Sequence, residues 1–223
     1  MSSTEPVDPP ESSSTPAPSR QETRARLISS AESLFAAHSV ESVSLNQIRV
    51  ASGVLNRSAV QYHFGDRDGL VSAIVEKHAP RYQARLQRRL AELSGEDTAP
   101  SDKPAIELRA RIEATVDFID DSDGGCDYIA ILAELTTSPK LSQIIVDQLP
   151  GAAGELDATD VTPQEQSRLA VMLLSGSMIL HSLVGYIRFR EAGRTAAFER
   201  DDLVKLLMRF LARDLDSEND RRA

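Results

Sequence analysis

At 223 residues, with 41% hydrophobic and 26% charged side chains, the chain has the composition of a soluble globular protein. That length suits one large helical domain, or a small domain joined to a larger one. The single cysteine, Cys126, excludes an internal disulfide and a cysteine-based zinc cage, and with no secretory signal in view it points to a reducing cytoplasm. A formal net charge of −9 excludes a generally basic nucleic-acid binder, yet the charge is unevenly spread: residues 20–93 hold 11 Lys and Arg against 7 Asp and Glu, and residues 94–223 hold 14 against 24. Phosphate contact depends on local charge, so only the first of these segments suits it.

Residues 1–19, MSSTEPVDPPESSSTPAPS, are nearly all Pro, Ser, Thr and acid, and are predicted to form a disordered tail. From Arg20 onward the periodicity is helical, without strand alternation or internal repeats, which predicts an all-α chain of about nine helices. The first runs from Arg20 to about His38, with Leu27, Ala31, Leu34 and Phe35 on one apolar stripe. Ser44-Leu45-Asn46-Gln47 fits a capping box for a second, short helix that Gly53 ends. A third short helix is predicted from Asn56 to about Phe64, and Asp66 caps a long fourth reaching about Leu93.

The stretch Ser94–Pro104 reads as a loop, followed by helices at about 105–120, 127–136 and 138–149. A loop through Pro150, Gly151 and Gly154 then precedes Thr162-Pro163-Gln164-Glu165, a start signal for a helix to about Glu191 that Gly193 stops. The apolar run Leu169–Ile187 is interrupted by Ser175, Ser177, His181 and Ser182, so it predicts a buried helix and no membrane span. A last helix is expected at about Thr195–Leu215, with residues 216–223 a frayed tail.

One long and two short helices, with a glycine between the short pair, outline a helix-turn-helix. Leu45, Ile48 and Ala51 are expected to face inward from the second helix, Val54 to plug the turn, and Val60 and Phe64 to bury the inner side of the third. That leaves Arg57, Ser58, Gln61, Tyr62 and His63 outward, a donor-rich set suited to base edges and phosphates.

The string from Arg24 to Leu70, with Ala31, Leu34-Phe35, Val43-Ser44-Leu45, Ile48, Ser52-Gly53-Val54, Tyr62-His63-Phe64 and Asp68-Gly69-Leu70, resembles the amino-terminal domain of TetR-type transcriptional regulators. Two features depart from that pattern. The turn between Gly53 and Phe64 is longer by a residue, for which Leu55 is the candidate, and Arg49 replaces a small alanine that allows close helix approach. The family's helix tyrosine consequently aligns with Gln61, beside Tyr62.

The resemblance implies a helix-turn-helix head at residues 20–66 and a larger helical ligand-binding and dimerisation domain at 67–215. It implies double-stranded operator DNA as partner, read by Ser44, Asn56, Arg57, Ser58, Ala59, Gln61, Tyr62, His63 and Arg67. Ser44 would cap its helix and offer a backbone amide to phosphate; Arg57 would read guanine and Gln61 adenine. Each has a plainer alternative: a cap alone for Ser44, packing beside Phe64 for His63, a surface charge for Arg67.

An unidentified small-molecule effector is expected among the middle helices, where Tyr82, Phe118, Tyr128, Met172, Met178 and His181 could line a cavity or simply pack. The penultimate helix (Gly176, Gly185, Leu169, Leu173, Leu180, Val184, Ile187) and the last (Leu203, Leu206, Leu207, Phe210, Leu211) suit a homodimer seam. No cofactor, metal site or catalytic set is expected: His181 lacks a ligand partner at helical spacing, and nothing beside Cys126 would lower its pKa. The competing readings are a helical enzyme and an interaction module that no longer binds DNA.

Overall fold

The computed structural model describes the backbone of residues 18–95, 99, 102–138, 140–148, 163–194 and 199–220, and their side chains except at 146–148, 163–173 and 212–220. Among these residues the chain forms nine α-helices and no strand: α1 (Arg20–Ala37), α2 (Leu45–Ala51), α3 (Ala59–Phe64), α4 (Arg67–Leu93), α5 (Lys103–Ile119), α6 (Gly125–Thr137), α7 (Ser142–Gln148), α8 (Pro163–Glu191) and α9 (Arg200–Asp220). The all-α architecture is the one the periodicity predicts.

Local chemistry sets the boundaries. Ser19 Oγ accepts the Glu22 amide at 3.1 Å while the Glu22 carboxylate accepts the Ser19 amide at 2.7 Å, a capping box that draws Ser19 out of the expected tail. At α3 the expected start is too early. The Asn56 side-chain oxygen accepts the Ser58 amide at 3.0 Å, so Asn56 to Ser58 form a turn before the helix begins at Ala59. At the other end of the chain α9 continues through Asp220, so residues 216–220 are helical rather than frayed. Residues 1–17, the Pro150–Gly154 loop, the Thr162 cap, residues 195–198 and residues 221–223 lie outside the described residues.

Leu27, Ala31 and Phe35 of α1, Ile48 of α2 and Val60 of α3 are buried together, with Val54 packed against them from the turn. Ala51, expected on the inner face of α2, is exposed instead. The same apolar cluster runs without a break through Leu70 and Ile74 of α4 into Ile112, Phe118, Tyr128, Ile131 and Leu183. Beyond it, α4 packs on α5, α5 on α9 and α6 on α8, while α1 touches α6 as well as α2 and α4. Ser33 Oγ donates to Asp127 at 3.4 Å and the Val40 amide donates to Glu134 at 2.9 Å across the α1–α6 contact. The head is therefore seated on the body along α1 and does not hang from α4 alone.

On α8 and α9 the expected seam divides. Ile187, Leu203, Leu207 and Leu211 are buried within the chain, and Leu180 and Val184 are half-buried. Leu206 and Phe210 stay exposed, joined on α8 by Leu174, Met178 and Phe189, and an added Cβ at Gly176 or Gly185 would meet nothing within 4 Å. The side chains of Leu169 and Leu173 lie outside those described.

Tyr128 is fully buried, and its hydroxyl has no hydrogen-bond partner among the described residues. Burial accordingly holds the phenol well above its ordinary pKa. An unpaired buried hydroxyl costs stability, so Tyr128→Phe should raise the unfolding free energy by about 1 kcal/mol. Urea denaturation measures this, and a destabilised variant would mean that the hydroxyl is bonded after all.

Candidate nucleic-acid interface

The site is built on α2, the turn and α3. Ser44 starts α2: its Oγ accepts the Gln47 amide at 3.2 Å and its own amide donates to Gln47 Oε1 at 2.7 Å. The cap is as expected, but the Ser44 amide is already committed to Gln47 and is not free for a phosphate. The cap occupies the first turn of α2 and fixes where the turn after it falls.

Arg49 holds that turn closed from both sides. Its carbonyl accepts the Val54 amide at 3.2 Å, and its Nη1 donates to the Val54 carbonyl at 2.8 Å. Nε and Nη2 reach back to Asn46 Oδ1 at 3.2 and 3.0 Å. The guanidinium lies along the turn and satisfies its backbone. Gly53, with φ +68, supplies the left-handed residue the reversal needs, and Leu55, 91% exposed, bulges outward as the extra residue.

Along α3 the inner residues are Ala59 and Val60, both buried, and the half-buried Phe64. Ala59 therefore cannot reach a base, which removes it from the expected contact set; it starts the helix on its core-facing side. Asn56, Arg57, Ser58, Gln61 and Tyr62 are exposed, and neither Arg57 nor Gln61 has a side-chain partner among the described residues. His63 is half-buried between Tyr62 (ring centroids 5.1 Å, edge-on) and Phe64 (5.9 Å). Burial, then the Arg20 and Arg24 charges, hold its imidazole below the ordinary histidine value.

Arg20 and Arg24 are the cations that reading the sequence missed. The Arg20 guanidinium lies 5.2 Å from the Tyr62 ring centroid and that of Arg24 5.4 Å from Phe64, so the start of α1 flanks the outer end of α3. Their spacing of four residues, on one face of an amphipathic helix, was the available signal. Arg67 behaves otherwise than expected. Its Nη2 donates to the Val43 carbonyl at 2.9 Å and its Nε is buried, so the side chain fastens α4 to the loop before α2. At the head of α4, Asp66 caps the Gly69 amide at 2.9 Å, and a Cβ on Gly69 would fall only 2.0 Å from the Phe64 carbonyl oxygen. Only glycine lets α3 turn into α4 this closely.

In the body, three of the six expected cavity residues meet. Phe118 and Tyr128 lie 5.5 Å apart, Tyr82 is 6.0 Å from Phe118, and the Tyr82 hydroxyl is 3.2 Å from Thr115 Oγ1. Met178 and His181 are exposed on α8 and do not join this buried cluster in the single chain; His181 Nδ1 bonds the Ser177 carbonyl at 2.9 Å. The Met172 side chain lies outside those described. A cleft of about 310 Å³ opens elsewhere, lined by Arg85, Arg88, Arg89, Glu92 and Asp117. Cys126 is half-buried and donates to the Ile119 carbonyl; burial holds its thiol above the ordinary value, against the nearby Arg190 charge.

No protein-family profile and no curated protein sequence matches the chain. Solved structures do. A transcriptional regulator from Rhodococcus sp. Rha1 superposes with a TM-score of 0.55 at 20% identity, over 87% of this chain and 96% of that one. A candidate transcriptional regulator from Pseudomonas aeruginosa PAO1 gives 0.50 at 15% identity, over 92% and 95%. A TetR-family regulator from Streptomyces coelicolor A3 matches more loosely, at 0.43 and 17% identity, over 91% and 99%. At these identities the likeness to the first two is one of fold.

The Arg49 clamp makes its own prediction. Arg49→Met keeps the stem but strips the Val54 carbonyl of its donor, which should cost about 1–2 kcal/mol of stability. Hydrogen exchange should speed up most at the amides of residues 50–56. Exchange there at the wild-type rate would show that the turn holds itself.

Proposed function

We propose that this chain is a TetR-type transcriptional regulator that binds double-stranded operator DNA through α2, the turn and α3. The observation carrying the reading is the outward set of Arg57, in the turn before α3, with Gln61 and Tyr62 on α3, a short helix whose opposite face is locked into the core. Arg57 and Gln61, which have no side-chain partner among the described residues, are free to meet an external one. The Arg24–Leu70 resemblance and the shared fold with transcriptional regulators support the same reading.

In the complex, Arg57 donates to guanine and Gln61 pairs with adenine, each through two hydrogen bonds in the major groove. Tyr62, His63 and Arg20 hold the flanking phosphates. Asn56 and Ser58 shape the approach to α3, and Ser58 keeps a hydroxyl free for the backbone. A two-fold dimer forms through the exposed apolar residues of α8 and α9. It sets the two α3 helices on successive major grooves, roughly 34–36 Å apart. The acidic body keeps the remainder of the surface off the DNA, and the protein works in the cytoplasm.

The regulator is a repressor released by a small molecule seated near Tyr82, Phe118 and Tyr128. The molecule must bind the DNA-incompetent arrangement more tightly than the DNA-bound one, since equal affinity for both would shift nothing. α4 runs from the head past Tyr82, so it transmits the change as a lever.

Selection of binding sites from random duplexes, followed by mobility shifts, tests the reading. Arg57→Ala and Gln61→Ala should each lose roughly 1–3 kcal/mol of specific binding with helicity and dimerisation unchanged. Wild-type affinity should also fall with salt on a log–log slope of at least about 4 in magnitude, as expected when two heads each contact several phosphates. Full affinity and sequence preference in both variants would move the recognition face elsewhere.

Effector and operator must oppose each other by the same factor. Calorimetry with an effector found by thermal-shift screening should show its affinity reduced 5- to 150-fold by saturating operator, for a coupling of about 1–3 kcal/mol. Equal affinity with and without operator would end the lever mechanism.

A further inference from the structure

Glu32 sits on the core-facing side of α1 among Leu27, Ile28, Ala31 and Phe35, and is only 3% exposed. It is met from α4. Lys77 Nζ donates to Glu32 Oε2 at 2.8 Å, and His78 Nε2 lies 2.7 Å from Oε1. On the far side of the imidazole, Arg81 Nη2 lies 2.8 Å from His78 Nδ1. A guanidinium has donors only and keeps its proton in proteins, so Nδ1 is the bare nitrogen and accepts. The ring proton is therefore on Nε2 and is donated to Glu32, so both nitrogens of the fully buried His78 are committed.

The remaining bonds close a circuit. Arg81 donates to Asp123 Oδ2 at 2.6 Å and to the Asp123 carbonyl at 3.0 Å, and Lys77 Nζ returns to Asp123 Oδ1 at 3.2 Å. One acid comes from α1, one from the turn between α5 and α6, and the three basic residues from α4. Asp121, 3.4 Å from Arg81 Nη1 and 2.8 Å from Arg85, adjoins the circuit from the same turn. Gly124, with φ +80, covers the circuit; a Cβ there would sit 3.5 Å from both Glu32 Oε2 and His78 Cε1. Although burial opposes their charged forms, these pairings hold Lys77 above its ordinary pKa and Asp123 below its own. The flat side of His78 stacks on Tyr128 at 4.5 Å, and its edge meets Phe118 at 5.9 Å.

We propose that Glu32 and His78 are positioning residues for DNA binding, fixing the angle at which α1, with α2 and α3 packed on it, leaves the body. The proposal rests on the reading of α3 as a recognition helix in a dimer. It adds a second joint to the lever: α4 meets the end of α3, whereas the circuit grips the middle of α1. Because both imidazole nitrogens are engaged, turning the ring breaks the bond to the head and the bond to Arg81 together. The surface that would turn it is the Tyr128–Phe118 face, which lies in the aromatic cluster assigned to the effector.

Half-site spacing is the readout that a merely structural role would not move. The full chain is compared with three variants on the selected operator and on operators with one or two base pairs added or removed between half-sites. His78→Phe keeps a ring and loses both bonds; His78→Gln keeps a donor to Glu32; Asp123→Asn opens the circuit at its 61%-exposed outer corner. His78→Phe should lose about tenfold in affinity at the wild-type spacing, within the usual range of coupling, and its preferred spacing should shift. Asp123→Asn should shift the preference in the same direction, while His78→Gln keeps the wild-type profile. If His78→Phe does not fold, Asp123→Asn decides. Unchanged profiles, or equal losses at every spacing, overturn the positioning role while leaving α3 as the reader. A wild-type chain that selects no duplex overturns the DNA reading itself, and the positioning role with it.

Discussion

A carboxylate taken out of water in the core face of α1 would cost several kcal/mol if left alone. Glu32 is in that place, and the joint between head and body is arranged to receive it: Lys77 and His78 meet it from one turn of α4, Arg81 orders His78 from the next, and Asp123 compensates both cations. Apart from the Arg81–His78 bond within α4, each of these groups is met from another element. The partners exist only when α1, α4 and the α5–α6 turn are in register, which makes the polar circuit a test of correct docking that apolar packing alone does not impose. An interface of Leu and Phe would tolerate sliding; this one does not.

The head was largely legible in the sequence because its rules are local. The Ser44–Gln47 box, the Gly53 reversal and the Asp66 cap act over three or four residues, and each falls where expected. Ala59 was misjudged because α3 starts later than the composition suggests: Asn56 spends its side chain on the turn, and the helix face rotates with the new start. The Arg67 bond was not legible because its partner, the Val43 carbonyl, lies 24 residues away in sequence. The circuit escaped for the same reason, since its bonds span more than 40 residues between Glu32 and α4. Its local trace was nonetheless present. A glutamate next to Ala31, four residues after Ile28 in an apolar stripe, has no reason to be there unless something meets it.

Charge is divided by the same geometry. The cations of the head that face outward, Arg20 and Arg57 among them, belong to α1 and to the approach to α3. Three arginines of α4 are spent internally on acids of α5 and the α5–α6 turn: Arg85 on Asp121, Arg89 on Asp117 and Arg81 on Asp123. A count of basic residues over 20–93 therefore overstates what a phosphate backbone would meet. It also locates the surplus, because Arg81, Arg85 and Arg89 lie at the body end of the segment, whereas Arg20 and Arg57, at its head end, have no ion pair among the described residues.

The Arg49 side chain and the Val54 carbonyl it satisfies are coupled. A shorter side chain at this position leaves the half-buried carbonyl without this donor, at a cost of about 1–3 kcal/mol. Asn46 holds the guanidinium along α2 and so presents it to the turn. The energetic effects of changes at Asn46, Arg49 and the turn are therefore not additive, because all three share one hydrogen-bond network.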